Sequence, residues 1–527
     1  MTLRDFFRNG VNRMAEASNV FKKDVFELEG VPAFREFFTL YMFTWLAVYK
    51  GFYRAWHEVP VVTIAEPTGK KRRMATMNAG KMACAQMARY VWNERCKIAA
   101  TTGAGEKDPL NEYIQDVLKK NNFGGSFGEL AEKSFALGGC ALKEWVEIPK
   151  DENGNDAGPG RVKIGYHMAT QFVPTSWDSA RVTSAIFLNR EARDGFYYTV
   201  VEWHKLNGSS YRVTNDLYRM PIKDTSEPQS ILGWWYPLDR VYPLLSPSTD
   251  MTNVERTFFQ HIRPFGANFA DDNSPLGMSI FASAMDTLHS SDIIFDSFQR
   301  EFVLGRKRII APAKVMRKVP ALNGSGATVT YFDANDEVYQ ALSIDGEDAN
   351  KIIDNSVAIR VDEHVSGINT ELAILCSQIG FDPGTLSFDA IRGLKTATEV
   401  ISEDSKTFGT VQAHENGMRD ALIEMVHAIV DLSIRYDIEW KGQKISDLAS
   451  GGYEVSVMFD DSIIQDKAAN IDEGIKLVSA RLLSNRKFMI DRLGYTEDEA
   501  DEEIRRIAEE RRISLGIVDT VLTSAAE

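Results

Sequence analysis

Two stretches of the 527-residue chain have the spacing of catalytic motifs. Gly124-Gly125-Ser126-Phe127-Gly128 fits G-x-S-x-G, in which a tight strand-to-helix elbow exposes a nucleophilic serine. Here it follows a helical pattern at Pro109 to Lys120 and the pair Asn121-Asn122, so the required strand is missing and a turn between helices is expected. His414-Glu415 opens H-E-x-x-H, but Met418 stands where the second zinc-binding histidine belongs. Asp151, Asn153 and Asn155 alternate as in a calcium loop, yet Asp156 occupies the position where its sharp turn needs glycine, which favours a hairpin loop. Lys81 follows Gly80, but Ala75 replaces the first glycine of a phosphate-cradling loop. Cys84, Cys96, Cys140 and Cys376 form no C-x-x-C pair, the eight histidines are scattered, and no carboxylates have nuclease spacing. No residue is expected to make or break bonds, and neither a metal nor a cofactor is expected. A hydrolase using Ser126 is the alternative from the enzyme class.

Charge and length narrow the field. The chain carries 60 Lys and Arg against 75 Asp and Glu, a net charge of −15, with 44% hydrophobic residues. It is too long for one compact core, so several domains are expected. An acidic surplus argues against affinity gained by covering nucleic acid with a broad basic face. Phe37 to Tyr49 is uncharged and aromatic, but thirteen residues fall short of a membrane span of about 20, so a packed helix is expected. The N-terminus lacks the pattern of a signal peptide.

The pattern is helical from Val31 to about Trp56, and Glu58 to Ile64 alternates as a strand. Pro67-Thr68-Gly69 reads as a turn before the basic run Lys70-Lys71-Arg72-Arg73, which is either a solvated edge or a DNA contact. Asn78 is placed to cap a helix from Ala79 to about Glu94, and further helices are expected over Pro109 to Lys120 and Phe127 to Leu137. Between Ala141 and about Tyr242 the period changes to two, giving strands at Ala141 to Ile148, Arg161 to Ile164, Ala185 to Leu188, Tyr197 to His204 and Tyr211 to Tyr218. The fold class is α+β.

A different organisation follows. Asn273-Ser274-Pro275 reads as the start of a helix, and Phe281, Leu288, Phe295 and Phe302 then recur every seven residues. The helix would run about 40 Å at 1.5 Å per residue to Gly305, its seam covered by a neighbouring subunit or by the chain's own core. Arg306, Lys307, Arg308, Lys314, Arg317 and Lys318 then cluster among strand-like pieces, and a second helix returns at His364 to Ile379. This order makes an antiparallel stalk carrying a basic β tip. After a loop with Pro383 and Gly384, a helix over Thr396 to Tyr436 has the stripe Met418, Leu422, Met425, Ile429 and Leu432, and Gly409 and Gly417 mark a kink or a close approach. A helical tail charged in both signs spans Asp466 to Ile513.

Several segments resemble phage portal proteins of the branch found in siphophages and prophages of Gram-positive bacteria, also labelled minor capsid or phage structural proteins. In the N-terminal half they are Tyr49-Lys50-Gly51 with Trp56-His57, Met77-Asn78-Ala79-Gly80-Lys81 with Asn93-Glu94, and Leu137-Gly138-Gly139. In the C-terminal half they are Pro275 to Ala282, Phe302 to Arg308, Gly384 to Asp389 and Thr396 to Val400. Together the similar segments span roughly residues 30 to 435.

The resemblance implies a multidomain subunit that assembles as a ring, usually a dodecamer, at one vertex of the capsid. Its parts would be an N-terminal wing (1–275), a stem helix (276–305), a clip (306–358), a second stem helix (359–380), a channel loop (381–394), a kinked long helix returning to the wing (395–455) and a helical crown (456–527). The function implied is a passive conduit for genome packaging, head–tail attachment and DNA ejection, without enzymatic activity. Implied partners are further copies of the chain, non-specifically bound double-stranded DNA, the terminase large subunit, a head–tail adaptor, and the major capsid and scaffolding proteins, with no membrane. The location implied is the virion, and the host cytoplasm during assembly. Within that scheme the cluster from Arg306 to Lys318 would contact DNA or an acidic partner, or form a solvated face. Asp382, Asp389, Arg392 and Lys395 would line the channel, and Phe281, Leu288, Phe295 and Phe302 would pack between subunits. A capsid or baseplate structural protein without a channel is the remaining alternative.

Overall fold

A computed structural model describes residues 23–514 except 64–65, 104–107, 150–157, 180, 223–229, 306–308, 313–317, 321–327, 331–338, 343–352, 355–357, 388–396, 461–473 and 494. The chain divides into two units, Met1–Ala390 with Gln412–Phe459, and Ile391–Val411 with Asp460–Glu527.

In the first unit, helical turns Arg35–Phe37 and Phe38–Met42, the latter a π-helix, run on into α1 (Phe43–Tyr49). The aromatic run is therefore a helix, and its buried Phe37, Phe38, Met42 and Trp45 pack within the chain. A hairpin of β1 (Glu58–Thr63) and β2 (Glu66–Arg73) follows. Pro67-Thr68-Gly69 and the basic run both lie in β2, because the cross-strand pairing extends to Glu66 instead of ending in a turn at Gly69.

Three helices come next: α2 (Ala79–Val91), α3 (Pro109–Lys120) and α4 (Phe123–Leu137). The signals for α3 are local. Asp108 caps the N–H groups of Leu110 and Asn111, Pro109 occupies the first turn, and Leu110, Tyr113, Ile114, Val117 and Leu118 form one buried face. By contrast, α4 starts four residues before the expected Phe127. Asn122 in the left-handed conformation turns the chain sharply after α3, and the glycines become the first turn of the next helix.

The strand region is antiparallel throughout. Phe172–Asp178, Arg181–Arg193, Phe196–Asn207, Ser210–Pro221 and Ile231–Tyr236 pair in succession, with Lys23–Asp24 on the outer edge. A second sheet has Cys140–Glu147 between Arg161–Met168 and Phe259–Ile262. Phe172, Phe187 and Phe259 pack together with Ala141, Val182 and Ala185 as one core cluster. Their ring centroids lie 5.3–5.9 Å apart.

The stalk helices are α5 (Met285–Leu304) and α6 (Val361–Ile379), and the long helix is α7 (Ala397–Arg435). The helical period is broken before Met285, where Asn273 to Phe281 runs as loop and Ala282–Ala284 forms one 3-10 turn. The reason is that Ser279 and Ile280 bond elsewhere: the Ser279 hydroxyl and the Ile280 N–H both donate to the Phe135 carbonyl at the end of α4. Helix α7 runs unbroken through Gly409 and Gly417, and Met418, Leu422, Met425, Ile429 and Leu432 are all buried.

In the second unit, Glu497–Ser514 is a helix opened by a capping box, in which Thr496 and Glu499 bond each other's backbone N–H groups. Arg486 of helix Asn485–Leu493 pairs with Asp501. Among the described residues no helix is long and apolar enough to cross a membrane.

Candidate functional site at the foot of a helical stalk

Helices α5 and α6 are antiparallel neighbours. Four contacts fix their register: Glu301 with Arg360 and His364, the Phe298 ring on His364, Ile294 against Gly367, and the Ser290 hydroxyl donating to Glu371. Between the two helices lie short strands. Ile309–Pro312 pairs in parallel with Tyr339–Leu342 and antiparallel with Ile353–Asp354, and Lys318–Pro320 pairs with Thr328–Thr330.

At its foot α5 is gripped through two carboxylates one turn apart. Asp292 is buried and accepts from His57 Nε2 at 3.0 Å, from the Thr76 hydroxyl at 2.9 Å and from the Met77 N–H at 2.8 Å. The Tyr53 N–H donates to His57 Nδ1 at 2.8 Å, so the ring proton sits on Nε2 and the imidazole is a neutral donor. Asp296 accepts both guanidinium nitrogens of Arg72, at 2.8 and 2.7 Å, and the Ala75 N–H at 3.0 Å. Burial works against its charge, but Arg72 and the Ala75 N–H outweigh it and hold the carboxyl below the ordinary aspartate range. The i, i+4 spacing puts both carboxylates on one face, where they take up the backbone and side chains of residues 72 to 77. One turn earlier, His289 stacks on Trp56 with centroids 4.7 Å apart.

The glycines at this foot are close-packed. Gly138, with φ +81, ends α4 against the backbone of Gly277, and a Cβ on Gly80 would sit 3.3 Å from Leu288 and 3.5 Å from Phe281. Asn78 does not cap α2, since its backbone is left-handed and its side chain makes no cap bond. With its nitrogen turned toward the preceding helix, it donates to the carbonyls of Val48 at 3.2 Å and Tyr49 at 3.3 Å. Tyr49 to Gly51, Trp56-His57, Met77 to Lys81, Leu137 to Gly139 and Pro275 to Ala282 thus converge on one junction.

The model of the family described as phage portal protein, SPP1 Gp6-like, matches residues 41–514. The chain belongs to this phage portal family. No curated protein sequence matches it. The family is a structural one of the phage capsid and of DNA packaging, so the chain is a phage structural protein in that role.

The predicted site residues separate into distinct environments. Phe281 and Leu288 are buried inside the chain, Phe295 is half-buried and Phe302 is 46% exposed, so the chain's own core covers the lower half of the seam. Asp382 is buried, just beyond the end of α6. Lys318 lies in strand Lys318–Pro320; Arg306, Lys307, Arg308, Lys314, Arg317, Asp389, Arg392 and Lys395 fall outside the described residues.

Ser126 sits in the first turn of α4, 3.5 Å from the Asn122 amide, which is no base. His414 accepts the Phe265 N–H, and burial lowers its pKa to about 4, a structural role that leaves no ligand lone pair at Nδ1. All four cysteines are free. No group of three His, Cys, Asp or Glu side chains has metal-binding geometry among the described residues.

Sequence reasoning gave His57, Asp292 and Asp296 no role here, and it read Arg72 as a solvated edge or a DNA contact where the fold pairs it with Asp296. The available signal was two acids four apart inside a helix read as an apolar seam.

Proposed function

We propose that copies of this chain assemble as a ring around an axial channel at one capsid vertex, and that the ring conducts double-stranded DNA during packaging and ejection. The observation that carries this reading is the antiparallel pair α5/α6, which holds a small β insert at one end and is keyed at the other into an α+β body. In this reading α5 and α6 are the stem, the insert at 306–358 is the clip, and the sheets form the wing. The channel touches phosphates without reading bases. The ring has twelve subunits, the clip docks terminase during packaging and a head–tail adaptor afterwards, and the wing meets major capsid and scaffolding proteins.

The charge distribution supports a conduit. The chain has a net charge of −15, while Arg306, Lys307, Arg308, Lys314, Arg317 and Lys318 concentrate positive charge in the insert. An acidic body lets DNA pass without being held, and the insert supplies contact to DNA or an acidic partner. Asp389, Arg392 and Lys395 line the channel as a mixed-charge loop.

Negative-stain imaging with native mass measurement tests the proposal. Rings with an axial hole are expected; solid particles, or a monomer at high concentration, would overturn it. Replacing the six insert charges by alanine is expected to impair terminase binding or packaging in rings that still form.

A further inference from the structure

Along the C-terminal half of α5, Arg72 and Arg73 at the end of the hairpin, with Met74 and Ala75, face Asp296, Gln299, Arg300 and Val303 across a cleft of about 500 Å³. Asp296 neutralises Arg72. Arg73 lies over the Phe52 ring and touches the Gly51 carbonyl, and Arg300 makes no ion pair among the described residues. With three arginines against one aspartate, the cleft carries net positive charge beside the apolar Val303, which is 56% exposed. DNA phosphates would satisfy the arginines and leave that apolar surface wet. A protein partner bringing a carboxylate and an aliphatic neighbour covers both.

The complementary surface is on the same chain at the same height. The pairing of Glu301 with Arg360 and His364 sets the end of α5 level with the start of α6. There Ile359 and Val361 are 38% and 40% exposed, next to the exposed Asp362 and Glu363, and Glu363 acts on the charge of nearby Arg360, whose guanidinium is hydrogen-bonded to Glu301. Rotation about an axis along the stalk preserves height, so in a ring this patch on one copy is level with the arginine cleft on the next. Two different patches that meet head to tail are what closes a ring.

We infer that the Arg73/Arg300 cleft of one copy receives the carboxylate of Glu363 from a neighbouring copy, with Val303 covering its Ile359 and Val361. The inference rests on the ring proposed above and assigns a contact within it. A charge swap tests it, with native mass read as a function of protein concentration and thermal unfolding as the control for folding. Arg300→Glu alone and Glu363→Lys alone are each expected to weaken assembly about tenfold or more, and the double variant to recover most of the loss.

Wild-type rings with fully assembling single variants, or a double variant no better than the singles, would overturn the contact while leaving the ring intact. Variants that assemble normally but retain less double-stranded DNA would overturn it in favour of phosphate. A wild type that stays monomeric would overturn the ring and this contact together. Should a reversed charge prevent folding, Arg300→Gln and Glu363→Gln give the same reading, and unchanged assembly in both would count against the contact.

Discussion

A Cβ placed on Gly277 would lie 2.5 Å from the carbonyl oxygen of Gly138. These residues, 139 positions apart, bring the end of α4 and the approach to the stalk into backbone contact, and Ser279 and Ile280 then bond Phe135. Gly277→Ala must push two backbones apart. It is expected to destabilise the chain by about 1–3 kcal/mol, the range for overpacking a filled site. Urea unfolding checks this, with Gly409→Ala as the comparison. No atom lies within 4 Å of a Cβ there, and a helix-interior alanine is expected to stabilise by about 0.4–1 kcal/mol.

Much of this architecture was legible because its signals are local. The helical pattern over Pro109 to Lys120 gave α3, the apolar stripe of α7 gave its buried face, and alternation gave the strands that follow Leu137. The seven-residue seam located α5 but not its start or what covers it, because those depend on contacts 130 to 240 residues away in sequence. Leu288 packs on Gly80, and Asp292 and Asp296 reach His57 and Arg72. A buried aspartate reads in sequence like a solvated one. Only the fold supplies the donors that make burial tolerable.

Asp292 accepts three hydrogen bonds without a formal positive charge nearby in the set: His57, Thr76 and Met77. Asp292→Ala leaves those buried donors unmet, which is expected to cost on the order of 3 kcal/mol. Asp292→Asn keeps the shape and one acceptor oxygen and is expected to cost less. Denaturant unfolding of the two variants against wild type decides; equal losses would mean that charge alone holds the helix.

The Asp296–Arg72 pair has a pH signature. The folded-state pKa of Asp296 is depressed, so its contribution to stability is present above the ordinary unfolded value, about 3.9, and is lost as pH falls through the lower folded value. Arg72→Met is expected to destabilise by about 2 kcal/mol at pH 7, between the values for exposed and buried pairs. The gap to wild type is expected to hold down to about pH 5 and narrow below pH 4. Unfolding midpoints measured across pH 3 to 7 would show a constant gap if the loss is packing alone.

Glu144 carries the opposite sign. It is 2% exposed in strand Cys140–Glu147, its neighbour Gln260 donates to it at 3.1 Å, and burial drives its pKa up to about 8 despite that bond. A raised carboxyl binds its proton more tightly in the folded chain. Its contribution is therefore intact below the ordinary glutamate value of about 4.3 and is lost as pH rises toward 8. Glu144→Gln removes the titration and keeps the shape and the polar contact with Gln260. The variant is expected to be close to wild type near pH 4.5 and to gain on it steadily up to pH 8, by an order of a few kcal/mol for a shift of this size. The depressed histidines His167, His261 and His414 lose stability as pH falls below about 6.5, but they are common to both proteins and cancel in the difference. A difference that stays flat between pH 4.5 and 8 would mean that Glu144 ionises freely, and that a rearrangement around Gln260 admits water to the core between the sheets.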